Sequence, residues 1–330
     1  MADFINVAVD AMGGDNAPVE IVKGVVDAVH ANDHVKVYLT GQEELVRREL
    51  EKYTYPADRI EVVNATEVIE TAEPPVMAIR RKKDSSMTVA LNLLRDGKGD
   101  AVVSAGSTGA LLTGATLIVK RISGIRRAAM APVLPAGERG VMLIDCGANV
   151  ECTAEYLLQF AYMGSFYAKK MMGCENPRVG LLNVGTEDTK GGELQHQAFA
   201  LLKNADEEGR INFIGNVEGT GVFNGTADVV VTDGFTGNVC LKTIEGASKV
   251  LFGAIKDAMM STTKGKIGAL CVKDGLKGLK NQVSPDTYGG APLLGVKGAC
   301  IVGHGSSGAV AVENGVLTTA RVVRQGVSEI

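Results

Sequence analysis

The chain has 330 residues, of which 45% are apolar, and a formal net charge of −4. That is ample for a sizeable core, in one large α/β domain or in two lobes, and the acidic balance excludes a global basic field for nucleic acid. Aromatic residues make up only 5% and tryptophan is absent, so the core has to be aliphatic, as in buried parallel sheets rich in Val, Ile and Leu.

The N-terminal Met-Ala-Asp-Phe-Ile-Asn has neither a basic region nor a cleavable apolar run, so no secretory signal is expected. Asn6–Asp10 reads as a strand, and a helix follows from Pro18 to about Ala31. Val35–Thr40 is a predicted strand, Glu43–Lys52 a helix and Ile60–Asn64 a strand. Glu73-Pro74-Pro75 breaks the chain, and two short helices bracket Arg80-Arg81-Lys82-Lys83. Ala101–Val119 carries no charge over nineteen residues, but its three glycines and five hydroxyl side chains suit a strand, loop and helix better than a membrane span.

Alternation then continues, with a helix over Thr108–Arg121, a strand over Val141–Asp145, a helix over Ala154–Met172, a strand over Arg178–Asn183 and a helix over Glu193–Ala205. A strand over Asp228–Thr232 leads into a helix from about Gly237. This rhythm predicts a three-layer α/β/α, Rossmann-like fold with a mostly parallel sheet, in a single domain over residues 1–330. The segment Lys249–Lys280 departs from it. Seven lysines and several aliphatic residues alternate there, which gives a basic amphipathic helical hairpin over about 249–281. Such a hairpin is a membrane-surface or partner element, or a solvated helix pair packed on its own body.

Seven apolar runs end in Gly-rich polar turns, at 10–15, 104–109, 145–149, 183–192, 215–219, 232–238 and 303–308. In an open α/β sheet ligands bind at the carboxyl ends of the strands, so strands sharing one sheet would line one rim with these turns. The turns offer hydroxyls, amides and free backbone N–H groups, a chemistry suited to anions. Candidate binding residues are Asp10, Gly13, Gly14, Asp15, Ser104, Ser107, Thr108, Asn183, Gly185, Thr186, Asp233 and Thr236.

Motifs for a P-loop, a dinucleotide fingerprint, a nucleophile elbow and a zinc protease are absent, and the six cysteines have no metal-ligand spacing. No cofactor and no metal is therefore expected. Lys190 reads either as a phosphate ligand or as a solvated loop lysine. Asn238 reads either as an oxyanion donor or as a helix cap or Asx turn. Of the four histidines only His304 sits in a glycine turn at a strand end, while His196 lies on a helix where it could line a rim. The run Arg80, Arg81, Lys82, Lys83 is either a solvated helix face or a patch for an acidic partner.

Six ordered segments, Val9–Asp15, Lys82–Met87, Ser104–Leu111, Asn183–Gly191, Thr232–Val239 and Tyr288–Gly295, resemble the bacterial phosphate acyltransferases of phospholipid synthesis. The likeness runs from about residue 6 to residue 325. It implies a fold related to phosphotransacetylases and isocitrate-dehydrogenase-like proteins. It also implies transfer of a long-chain acyl group from acyl carrier protein to inorganic phosphate, for use by a membrane glycerol-3-phosphate acyltransferase. The resemblance further implies a homodimer in the cytoplasm, bound peripherally to an anionic membrane surface at the inner face of the cell membrane.

By the same resemblance Lys190 and Asn238 fall at the family's proposed catalytic Lys and Asn, and His304 is a candidate for proton or hydrogen-bond work at the leaving thiolate. Arg80, Arg81, Lys82 and Lys83 would then face the carrier protein. Lys264, Lys266, Ile267, Leu270, Lys273 and Leu276 would face the membrane. An acyl-CoA:phosphate acyltransferase, a metal- and NAD-dependent hydroxyacid dehydrogenase on a related fold, and a non-enzymatic scaffold are the competing readings.

Overall fold

The computed structural model describes residues 4–327 except 138, 277 and 279–288. Its strands form two sheets. The first contains β1 (Ile5–Asp10), β2 (Val35–Gly41), β3 (Ile60–Asn64), β4 (Ala101–Ser104), β5 (Ala129–Met130), β11 (Ala291–Leu294) and β12 (Ala299–Val302), in the order β3-β2-β1-β4-β12-β11-β5. The second contains β6 (Val133–Leu134), β7 (Val141–Ile144), β8 (Arg178–Leu182), β9 (Asn212–Val217) and β10 (Val229–Val231), in the order β6-β7-β10-β8-β9. Pairing is parallel except at β11 with β12, β5 with β11, and β6 with β7.

Side chains alternate across each strand, and helices cover both faces. In the first sheet Val7 and Val9 face α1 (Val19–Ala31) and the C-terminal helix α10 (Ala309–Arg324), in a core with Val22, Val25, Val312 and Val316. Ala8 and Val102 face the opposite layer, where α3 (Pro75–Arg81), α4 (Ser86–Arg95) and α5 (Thr108–Gly114) contribute Ile79, Leu91 and Leu111. In the second sheet Met142, Ile144 and Val229 pack under α6 (Ala154–Met171), with α7 (Glu193–Glu207) adding Ala198 and Leu202. Leu143 and Val230 pack on the other side, where α8 (Gly234–Met260) places Leu241 and Ile244. The remaining helix of the first sheet's outer edge is α2 (Glu43–Leu50).

The seven glycine-ended strands therefore do not share one rim. The turns at 10–15, 104–109 and 303–308 belong to the first sheet, and those at 145–149, 183–192, 215–219 and 232–238 to the second. The segment from β5 to β6 joins the sheets: Ala131 N–H donates to Pro292 O, Leu143 N–H to Pro132 O and Cys146 N–H to Met130 O.

Three predicted boundaries shift. The helix after Thr108 ends at Val119, its last turn being π-helical over Ala115–Val119, so Arg121 lies outside it. The helix expected from Gly237 starts at Gly234, because Asp233 caps it by accepting from Thr236 N at 2.9 Å. The amphipathic hairpin is the outer part of α8 followed by α9 (Thr263–Cys271), with the break at Ser261-Thr262, where the Thr262 side chain caps α9. Lys277, Leu279, Lys280 and Tyr288 lie outside the described residues. No helix among those described is long and apolar enough to cross a membrane.

Candidate active site

The turns of the first sheet lock together. Asp10, buried at the end of β1, accepts from Ser104 Oγ at 2.7 Å and from Met12 N at 3.2 Å. Burial pushes its carboxyl above the usual range, while hydrogen bonds from Ser86, Ser104 and the Met12 and Gly13 N–H groups pull the other way. Asp15 N–H donates to Gly305 O at 2.7 Å, and Asn16 Nδ2 donates to Ser306 O and Ser307 O. Gly13 and Gly14 lie inside this unit, between Asp10 and the Gly305 carbonyl. Ser107 caps α5 through Ala110 N, and Thr108 beside it is exposed. His304 is exposed. Its Nδ1 accepts from Ser306 N at 3.2 Å and lies 2.8 Å from Ser306 Oγ, which assigns the proton of the neutral ring to the outward Nε2.

The second sheet holds Lys190 and Asn238. In the turn after β8, Asn183 Nδ2 donates to Lys190 O at 3.0 Å and its Oδ1 accepts from Val184 N at 2.8 Å. Gly185 is buried under the stem of Lys190: a Cβ there would come within 2.9 Å of Lys190 Cγ. Thr186 and Lys190 are exposed, and Lys190 has no ion pair among the described residues. His196 Nε2 lies 3.0 Å from Thr189 O in the same turn.

Asn238 is half-buried in the second turn of α8, so it is not the cap; Asp233 and Thr236 close the cap, with Thr236 Oγ1 donating to Asp233 Oδ2 at 2.8 Å. Beside it runs the 145–149 turn, held by the buried Asp145. That carboxylate accepts from Met130 N at 2.9 Å, Ala148 N at 3.2 Å, Asn149 N at 2.6 Å and Asn149 Nδ2 at 3.0 Å. Burial nevertheless raises its pKa. Asn149 Nδ2 also reaches Ala128 O at 2.8 Å.

Sequence reasoning left the 145–149 and 215–219 turns unassigned. Asp145 and Asn149 build the wall next to Asn238. Asn216, at the end of β9, donates to Glu187 O at 2.9 Å and so braces the turn that carries Lys190. Its Oδ1 is buried without a partner. The signal for both was the Asp and Asn following each apolar run, which fit turn chemistry and therefore did not stand out.

No hydrogen bond among the described residues joins the His304 unit to the Lys190 and Asn238 unit. Around the second unit Val150, Val184, Phe235 and Val239 are exposed, an apolar border to polar loops. In the run before α4, Lys82 Nζ is engaged by Glu73 Oε1 and Val68 O, both at 2.6 Å, and Lys83 Nζ reaches Ile79 O at 3.3 Å. Arg80 and Arg81 are exposed. On α9 Lys264, Lys266, Ile267 and Leu270 are exposed, and beyond its end Lys273 is exposed and Leu276 half-buried. No group of three or more His, Cys, Asp or Glu side chains among the described residues is placed to hold a metal ion.

The sequence profile described as "Fatty acid synthesis protein" matches residues 5–330. The chain belongs to the fatty acid synthesis protein family. A relative from Clostridium botulinum (strain Loch Maree / Type A3), named phosphate acyltransferase, is 49% identical over 310 residues, covering 94% of this chain and 91% of that one. The fold of the chain is that of solved phosphotransacetylases. The EutD enzyme of Staphylococcus aureus superposes with a TM-score of 0.64 at 18% identity, over 98% of this chain and 95% of that one. A phosphotransacetylase from Streptococcus pyogenes gives 0.65 at 16% identity, with the same coverage.

Proposed function

We propose that the protein transfers a long-chain acyl group from acyl carrier protein to inorganic phosphate. A phosphate oxygen attacks the thioester carbonyl, the C–S bond breaks, and acyl phosphate and the carrier thiol leave. The observation that carries this reading is the pairing of anion-suited loops, bearing Lys190 and Asn238, with a border of exposed Val150, Val184, Phe235 and Val239. Such a border suits an acyl chain and such loops suit phosphate. The phosphate acyltransferase name of the 49%-identical relative supports the acyl transfer to phosphate.

Phosphate is itself the nucleophile, so catalysis asks only that it be held near the carbonyl and that the tetrahedral oxyanion be stabilised. Lys190 neutralises phosphate, and Asn238 Nδ2 donates to the oxyanion. Asp10, Asp15, Ser104, Ser107 and Thr108 shape the companion turns, and His304 offers its Nε2–H to the leaving thiolate. Exposed Val250, Leu251 and Met260 on α8 support self-association into a homodimer. Exposed Ile267 and Leu270 beside Lys264, Lys266 and Lys273 support peripheral contact with an anionic membrane. There the product would meet a glycerol-3-phosphate acyltransferase.

The test offers the same acyl group on acyl carrier protein and on coenzyme A, with phosphate, and traps acyl phosphate with hydroxylamine. Preference for the carrier-bound donor is expected. Preference for coenzyme A would replace the donor assignment, and no trapped product from either would refute the reaction.

A further inference from the structure

Five cations gather outside the loops described above. They are Lys120 and Arg121 after the π-helical turn, Arg126 and Arg127 before β5, and Lys297 between β11 and β12. All five are exposed. Backbone contacts bring their segments together: Lys297 N–H donates to Lys120 O at 2.9 Å, Ile122 N–H donates to Gly295 O at 3.1 Å, and Arg121 bridges Val296. Gln159 of α6 ties the loop from both sides, accepting from Arg126 N and donating to Gly124 O, both at 2.9 Å.

None of the five has an ion pair among the described residues. Glu155 lies within electrostatic reach of Arg126, and Glu151 is exposed on the neighbouring loop. Arg127 stacks its guanidinium over the Tyr156 ring at 5.7 Å. In a chain with net charge −4 this is a local inversion of sign, and Leu117 and Val150 add exposed apolar surface to it.

Its position matters as much as its charge. Ala128, next to Arg127, accepts from Asn149 Nδ2, and the 145–149 turn borders Asn238. The cations therefore stand beside the turn that walls Asn238. We infer that this platform docks the acidic carrier protein that presents the acyl thioester. The inference rests on the donor assignment of the proposed function. Charge complementarity selects the occupant: a surface of clustered carboxylates gains steering and register from unpaired Arg and Lys, and the exposed Leu117 and Val150 suit its apolar contacts. In the Arg80–Lys83 run, by contrast, Lys82 is already satisfied by Glu73.

The test uses the full chain, a carrier protein bearing a long-chain acyl thioester, and the same acyl group on pantetheine, which has no protein surface. Arg126→Glu with Arg127→Glu is expected to raise KM for the carrier-bound donor about tenfold, to flatten its salt dependence, and to change acyl-pantetheine turnover by less than about twofold. An unchanged KM for the carrier, or an equal loss with both donors, would overturn the assignment. So would the same KM effect from Arg80→Glu with Arg81→Glu, which would put the contact on α3. Loss of binding to anionic vesicles with carrier kinetics unchanged would give the platform to a membrane. A wild type that uses acyl-pantetheine but ignores the carrier-bound donor refutes the donor assignment. Titration calorimetry with unloaded carrier then reads docking separately, and absence of salt-sensitive binding overturns it.

Discussion

Gly147 and Asn238 meet across the top of the second sheet: a methyl group on Gly147 would lie 3.5 Å from Asn238 Oδ1 and 3.6 Å from its Cβ. Gly147 has φ of 109°, a conformation other residues adopt only with strain. Gly147→Ala is therefore expected to cost about 1–3 kcal/mol of stability and to lower kcat as the strained turn relaxes, because its methyl group would already be in van der Waals contact with Asn238. Urea unfolding and steady-state kinetics on the same preparation check both. A variant with wild-type kcat would detach this turn from the chemistry.

Two glycines of α8 give opposite forecasts. A Cβ on Gly237 would fall 1.9 Å from Asp145 O, whereas nothing lies within 4 Å of one on Gly246. Gly237→Ala should destabilise by about 3 kcal/mol or more, because helix and turn would have to part. Gly246→Ala should be neutral or stabilise by up to about 1 kcal/mol from helix propensity. Denaturant midpoints of the two variants measure the contrast.

Asn216 braces the Lys190 turn through Glu187 O. Asn216→Ala removes the brace, and Asn216→Asp sets a carboxylate against that carbonyl. KM for phosphate should rise in the order wild type, Ala, Asp, with kcat less affected, since the brace positions Lys190 and does not touch the reacting thioester carbonyl. Phosphate titrations at saturating donor read this order.

At the opposite end of the second sheet, Arg178 grips Asp228 through Nε at 3.0 Å and Nη2 at 2.9 Å. Burial raises the Asp228 pKa, but the hydrogen bonds and charge of Arg178 outweigh it, so the net shift is downward. A depressed carboxylate stabilises the fold above its ordinary value of 3.8 and loses that stabilisation as pH falls through the lower folded value. Asp228→Asn should cost about 1 kcal/mol at neutral pH, given that Arg178 is half-exposed. Its deficit should shrink below pH 3.8. Thermal melts from roughly pH 7 down to roughly pH 2, a range that passes through the ordinary carboxylate value and below it, check the sign.

The fold was legible where side-chain period and turn chemistry act locally. Strand–helix alternation located β1, β2 and β3 almost to the residue. Whether strands share a sheet depends on non-local pairing, which no local period encodes. The two-residue strands β5 and β6, which join the sheets, are too short to carry a period at all. At the candidate site, Lys190 and Asn238 stood out because each sits next to glycines in a polar turn, Lys190 before Gly191-Gly192 and Asn238 after Gly237. Asp145, Asn149 and Asn216 did not, since their roles arise from partners at Met130, Ala128 and Glu187 that only folding supplies. Lys82 illustrates the reverse: four consecutive cations suggest a free patch, yet its Nζ is held by Glu73 and Val68.

The most direct test of the account is turnover by Asn238→Ala, with acyl phosphate trapped from a carrier-bound donor and folding checked by thermal melt. If Asn238 donates to the oxyanion, kcat should fall by about 100–1,000-fold with the melting temperature unchanged. A folded variant that loses less than about tenfold would contradict the assignment.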